Sequence, residues 1–123
     1  MRLSLALAAL LAACSSDAQP ALPSGAACDE SLSYAGEMQG FFESYCLLCH
    51  SSEVSGDDRF GAPVGADFDR LEGIQSFLVA IDAEAGAGPD GVFETMPLPG
   101  LPDQPSLAER EALSAWLACG APE

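Results

Sequence analysis

The chain contains no lysine and a single histidine, His50. Its four basic residues, Arg2, Arg59, Arg70 and Arg110, stand against 19 Asp and Glu, and the formal net charge is −15. Such a surface repels polyanions, which excludes nucleic acid as a partner, and it repels anionic lipid headgroups. One histidine and one Cys-x-x-Cys, with no second ligand pair, do not make a structural zinc site. No run alternates convincingly as a half-buried strand would, and no internal repeat is visible, so sheet-based and solenoid folds are disfavoured. No paired carboxylates or activated nucleophile stand out, which argues against an enzyme acting on a substrate. The apolar stretch at residues 2–13 is too short to span a bilayer as a mature helix.

What the chain does have is Cys46-Leu47-Leu48-Cys49-His50. C-x-x-C-H is the attachment signature of a c-type haem: two thiols bond the porphyrin vinyl groups and the adjacent histidine ligates the iron. A thioredoxin-like dithiol is the competing reading. It calls for a βαβ context, of which the sequence shows no sign.

Haem attachment of this kind belongs outside the cytoplasm, and the start of the chain agrees. Residues 1–13 carry Arg2 and then an apolar core, and Cys14 follows Leu11-Ala12-Ala13 directly. This pattern is similar to a bacterial lipoprotein signal, with Cys14 as the lipid-bearing mature N-terminus. The alternative is an ordinary secretory peptide cleaved just beyond Cys14. Residues 14–27, rich in Ser, Pro, Gly and Ala, read as a flexible tether, and 28–123 as one small domain. Cys28 and Cys119 remain as an even pair in an oxidising space. Bridged, they would close a loop of about 90 residues, for which chain entropy gives on the order of 4 kcal/mol. Left apart, they would be two buried thiols.

The domain reads as all-α, with about three main helices. The first is expected over about residues 34–49, with Ser33 as N-cap and an apolar stripe at Tyr34, Met38, Phe41, Phe42 and Tyr45. The second starts at a capping-box pattern, Asp69-Arg70-Leu71-Glu72, buries Leu71, Ile74, Phe77, Leu78 and Ile81, and stops at Gly86. The third starts at Ser106-Leu107-Ala108-Glu109, another capping box, and carries Leu113, Trp116 and Leu117. A Gly/Asp-rich loop joins the first two helices, and a proline-rich segment, 87–104, joins the last two.

Elimination narrows the second axial ligand of a haem iron. His50 is spent as the proximal ligand and no lysine exists, so methionine remains. Met38 falls on the apolar stripe of the first helix and reads as a core residue. Met96, in Glu94-Thr95-Met96-Pro97-Leu98-Pro99-Gly100, lies on a segment long enough to reach a distal face and stiffened by prolines. The alternative is a five-coordinate iron beside an exposed loop methionine.

In these features the chain resembles a small class I c-type cytochrome in lipoprotein form, across roughly residues 29–122. The resemblance rests on Cys46, Cys49 and His50 after an N-terminal helix, on Met96-Pro97 late in the chain, and on the closing helix through Ala115-Trp116-Leu117-Ala118-Cys119. It implies a cytochrome c-like fold around one covalently attached haem c, with first and last helices crossing. It also implies a carrier of single electrons in the cell envelope, at the periplasmic or outer face of a membrane. Partners would be redox proteins with a basic docking patch, together with the membrane through the lipid on Cys14. Acidity equally suits solubility in a salty medium. Many relatives carry lysines around an exposed haem edge, and this chain has none. The stretch from Gly61 to Asp69 matches nothing in that family. A haem-binding sensor or ligand-binding lipoprotein with a labile distal site is the other reading.

Overall fold

The computed structural model describes residues 19–123. The signal segment 1–13 and the lipid-bearing role of Cys14 lie outside the described residues. Among the described residues, three main helices, a one-turn 3-10 helix at Gly56–Arg59 and one small hairpin make up the regular structure.

The first helix opens as a π-helical turn, Tyr34–Met38, and continues as α1, Gln39–Tyr45. Ser33 caps it as expected, its hydroxyl accepting from the Gly36 N–H at 3.0 Å. The reciprocal carboxylate is Glu37, four residues on, which accepts from the Ser33 N–H at 2.9 Å. An ordinary capping box uses the third residue. The extra residue is accommodated by the wide turn, in which the Met38 N–H reaches back five residues to the Ser33 carbonyl. The α-helix ends at Tyr45, not near Cys49 as the sequence suggests. Cys46 to Cys49 form a turn, closed by the His50 N–H donating to the Cys46 carbonyl at 3.0 Å.

Helix α2 spans Leu71–Ala85. The capping box expected at Asp69 does not form, and Arg70 occupies the cap position without a side-chain hydrogen bond. Asp69 is drawn elsewhere: its carboxylate accepts from the Ser52 N–H (3.0 Å) and hydroxyl (2.6 Å). Gly86 ends the helix as expected, in extended backbone. A short antiparallel hairpin follows, β1 (Ala87–Gly88) paired with β2 (Gly91–Val92), which the all-helical expectation missed. Two-residue strands are too short to show alternation. Helix α3, Leu107–Leu117, carries the full capping box between Ser106 and Glu109.

The core is built from Met38, Phe41 and Phe42 of the first helix, Ile74 and Ile81 of α2, and Leu113, Trp116 and Leu117 of α3. Trp116 is fully buried. Its ring lies 6.2 Å from those of Tyr34 and Phe42, so side chains of the first and last helices meet around it. The Tyr45 hydroxyl adds a link, donating to Glu109 at 3.0 Å.

The N-terminal segment of the described residues is tied down twice. Cys28 and Cys119 are bonded, with Cα atoms 4.7 Å apart. The stretch expected to be a free tether as far as residue 27 is packed from Leu22 onward, because Leu22 joins the core and Ser24 is fully buried. Ser24 donates its N–H (2.7 Å) and its hydroxyl (2.8 Å) to the buried carboxylate of Asp82 on α2. Asp82 also accepts from Ser114 of α3, whose oxygen in turn accepts from the Ala87 N–H at 2.9 Å. One carboxylate thus joins the N-terminal segment to two helices, with β1 linked through Ser114. Buried polar oxygens are tolerated only when they are hydrogen-bonded in this way.

Candidate functional site

A cavity of about 390 Å³ opens between the turn after α1, the loop 59–68, α2 and the segment 96–101. Cys46, Cys49, His50 and Met96, the four residues singled out from the sequence for one site, all line it. Met38 does not; it is 2 % exposed in the core, as expected. Cys28 and Cys119 are spent in the bridge, and Cys46 and Cys49 are free thiols. The remaining walls are mostly apolar, among them Phe41, Phe68, Phe77 and Ile81. Leu48, Phe60 and Leu98 also line the cavity while being exposed themselves, so its mouth is apolar.

The His50 ring is fixed on two sides. Phe68 stacks on it, with centroids 4.4 Å apart and planes 13° apart. Its Nδ1 lies 3.0 Å from the Ala66 carbonyl. A carbonyl can only accept, so Nδ1 carries the proton and Nε2 of the neutral ring keeps its lone pair. Burial pushes the ring's pKa below the ordinary histidine value; the Ala66 hydrogen bond opposes that shift, and Arg59 adds to it. Nε2 is therefore a ready ligand atom at neutral pH.

Ala66 belongs to the loop 51–68, whose second half falls in the Gly61–Asp69 stretch that matched nothing in the resembled family. The loop's ends meet where the Phe68 N–H donates to the His50 carbonyl at 2.7 Å and where Asp69 holds Ser52. At its centre is Arg59, 6 % exposed. Its guanidinium donates to the carbonyls of Ser51, Val54, Ala62, Pro63 and Ala66, at 2.8 to 3.2 Å. It also pairs with Asp67 at 3.0 Å. The Ala66 carbonyl thus accepts from both His50 and Arg59. Gly73 lets the loop lie close on α2, because any Cβ there would collide with the Asp67 carbonyl.

The Met96 side has its own arginine. Arg110 on α3 is 2 % exposed, and its Nη1 donates to the carbonyls of Ala85 (3.0 Å), Phe93 (2.9 Å) and Met96 (2.9 Å). The Met96 N–H donates to the Glu84 carbonyl at 2.8 Å. Sequence reasoning passed over both arginines. For Arg110 a signal existed: it lies three residues before Leu113, on the buried face of α3. Nothing local marks Arg59, whose partners are backbone carbonyls.

The Cys46 thiol is not activated as a redox nucleophile. Burial pushes the Cys46 thiol up to about 12, with Arg110 only partly offsetting it. Reactive dithiols need a depressed pKa, so the thioredoxin-like reading loses support. Among the described residues, no three His, Cys, Asp or Glu side chains converge as they would around one ion. The donor set instead suits an apolar plate held by two thiols, one imidazole and one thioether, which is the chemistry of a c-type haem. No protein-family model, curated protein or solved structure matches this chain.

Proposed function

We propose that the protein is a monohaem c-type cytochrome that carries single electrons at the cell envelope. The observation that carries this reading is the meeting of Cys46, Cys49, His50 and Met96 in one apolar cavity. When bound, haem would supply a one-electron Fe(II)/Fe(III) couple. The protein's part is to hold and insulate it. Cys46 and Cys49 would anchor the porphyrin covalently, His50 would offer Nε2 and Met96 its sulfur. The aromatic and aliphatic walls would keep water out. A thioether is a weak donor that favours the reduced metal, so His/Met ligation sets a higher potential than two imidazoles would.

The apolar mouth at Leu48, Phe60 and Leu98 is the natural place for a redox partner to approach. The acidic surface would steer in a partner bearing a basic patch, at a rate that falls with salt. A lipid on Cys14 would lie eight residues from packed Leu22, a span of at most roughly 29 Å, so the domain would stay close to its membrane. Among the described residues no helix is long and apolar enough to cross a bilayer.

The test is expression alongside haem-attachment machinery, followed by haem staining on a denaturing gel. The wild type should carry covalent haem and the Cys46→Ala/Cys49→Ala double variant none. A wild type without covalent haem would end the reading. Covalent haem with a high-spin spectrum and ready CO binding would move the protein to the sensor class.

A further inference from the structure

Met96 is a long, flexible side chain, and a thioether is a weak ligand. Its usefulness therefore depends on how firmly its backbone is held. Met96 sits in no helix or strand, and prolines at 97 and 99 contribute no N–H to a hydrogen-bonded ladder. Yet both of its backbone polar groups are bonded. Its N–H donates to the Glu84 carbonyl at 2.8 Å, and its carbonyl accepts from Arg110 Nη1 at 2.9 Å. The peptide planes before and after Met96 are fixed from opposite elements, α2 and α3.

We propose that Arg110 is the positioning residue for Met96 as distal ligand. This rests on the cytochrome reading above. The same Nη1 also takes the Phe93 and Ala85 carbonyls, at 2.9 and 3.0 Å. Its two N–H groups serve three acceptors, one at the last residue of α2 and two on the segment that carries Met96. Placing a cation at the negative end of α2 adds to the hold. Lysine would reproduce this only in part: its ammonium also offers several donors from one nitrogen, but on a flexible stem and without the planar head whose Nη2 reaches Gln104.

A side chain that merely filled the core would have no cause to bring a charge with it. Arg110 is 2 % exposed and has no carboxylate within ion-pairing distance among the described residues. Its Nε has no hydrogen-bond partner. Gln104 Oε1 is its one side-chain acceptor, 3.4 Å from Nη2. Burying a guanidinium against carbonyls alone is costly, and what it secures is the position of residues 93–96.

The experiment compares haem-loaded wild type with Arg110→Met, which keeps the stem and removes the head, and Arg110→Lys. Three quantities are read: the far-red charge-transfer band of methionine-ligated ferric haem, CO binding to the reduced protein, and amide exchange at Met96. Arg110→Met should keep its helical circular dichroism, lose most of the far-red band and bind CO readily. The Met96 amide should exchange about tenfold faster or more, the factor expected when charged hydrogen bonds are lost. Arg110→Lys should fall between the two. A folded Arg110→Met with wild-type band and wild-type Met96 protection overturns the proposal. If Arg110→Met does not fold, Arg110→Lys decides: an intermediate band supports the proposal and a wild-type band and exchange rate overturn it. Wild type with covalent haem but no far-red band would instead remove the Met96 ligation on which the proposal stands.

Discussion

The His50 side and the Met96 side of the cavity are organised in the same way but not to the same depth. Each is an irregular stretch gathered around one buried arginine that donates to backbone carbonyls. Arg59 donates to five carbonyls and ion-pairs with Asp67, whose Oδ1 has no hydrogen bond, and the loop it organises also closes on itself at Phe68 and Ser52. Arg110 takes three carbonyls, has no carboxylate, and leaves Nε without a partner. The imidazole is also pinned through its own ring by Ala66 and Phe68, whereas the hydrogen bonds that hold Met96 are to its backbone and its side chain only packs against the core. The His50 side is therefore the more firmly fixed one, and under the proposed haem reading the Met96 side is the place where ligand exchange would begin.

The sharpest way to break that comparison is Arg59→Met. It removes a partly buried ion pair and the donors of five carbonyls together, and should cost about 3 kcal/mol or more. Urea unfolding should show a larger loss than for Arg110→Met, where only carbonyls are left and roughly 1–3 kcal/mol is at stake. Equal losses would erase the difference between the two sides.

Gly73→Ala probes the same loop from below. In an exposed helix interior, alanine for glycine stabilises by roughly 0.5–1 kcal/mol. Here the sign should reverse, to a loss of about 1–3 kcal/mol, because the methyl must displace the Asp67 carbonyl. Amide exchange at Phe68, whose N–H closes the loop on His50, should quicken in step. A stabilised variant would show that the loop is less closely seated than described.

How much of this was legible in the sequence follows the reach of the forces involved. The Ser106 capping box was readable because both partners lie within three residues. The core stripes were readable because helical periodicity is local. The Cys28–Cys119 bond was reachable by counting, once Cys46 and Cys49 were given another role. Asp69 misled because a cap pattern says nothing of a competing partner, and Ser52, far away in sequence, took the carboxylate. The segment before Cys28 has a linker's composition, yet Asp82 captures Ser24 across the fold. The arginine hubs were hidden for the same reason, since carbonyl acceptors carry no residue-type signal. Met38 and Met96 were separable because one repeats with a helical stripe and the other does not.

The mildest test concerns the end of α3 nearest the Met96 segment. Ser106→Ala should cost about 1 kcal/mol by removing the cap. Its partner Glu109 is held below the ordinary carboxylate range, chiefly by the Ser106 N–H. A depressed folded pKa means the contribution is whole above the unfolded value of about 4.3 and fades as pH falls through the lower folded value. Glu109→Gln should flatten that acid-side slope in thermal melts followed from pH 7 to 3. An unchanged slope would remove Glu109 from the cap.

The central claim is that His50 and Met96 serve one iron. It is tested most directly by the ferric far-red spectrum of haem-loaded Met96→Ala beside Met38→Ala. Met96→Ala should lose the methionine charge-transfer band, turn high-spin or water-ligated, and bind CO when reduced. Met38→Ala should keep the band while losing roughly 2–5 kcal/mol of stability, as expected for a buried core methionine. A band that survives in Met96→Ala and vanishes in Met38→Ala would contradict the account.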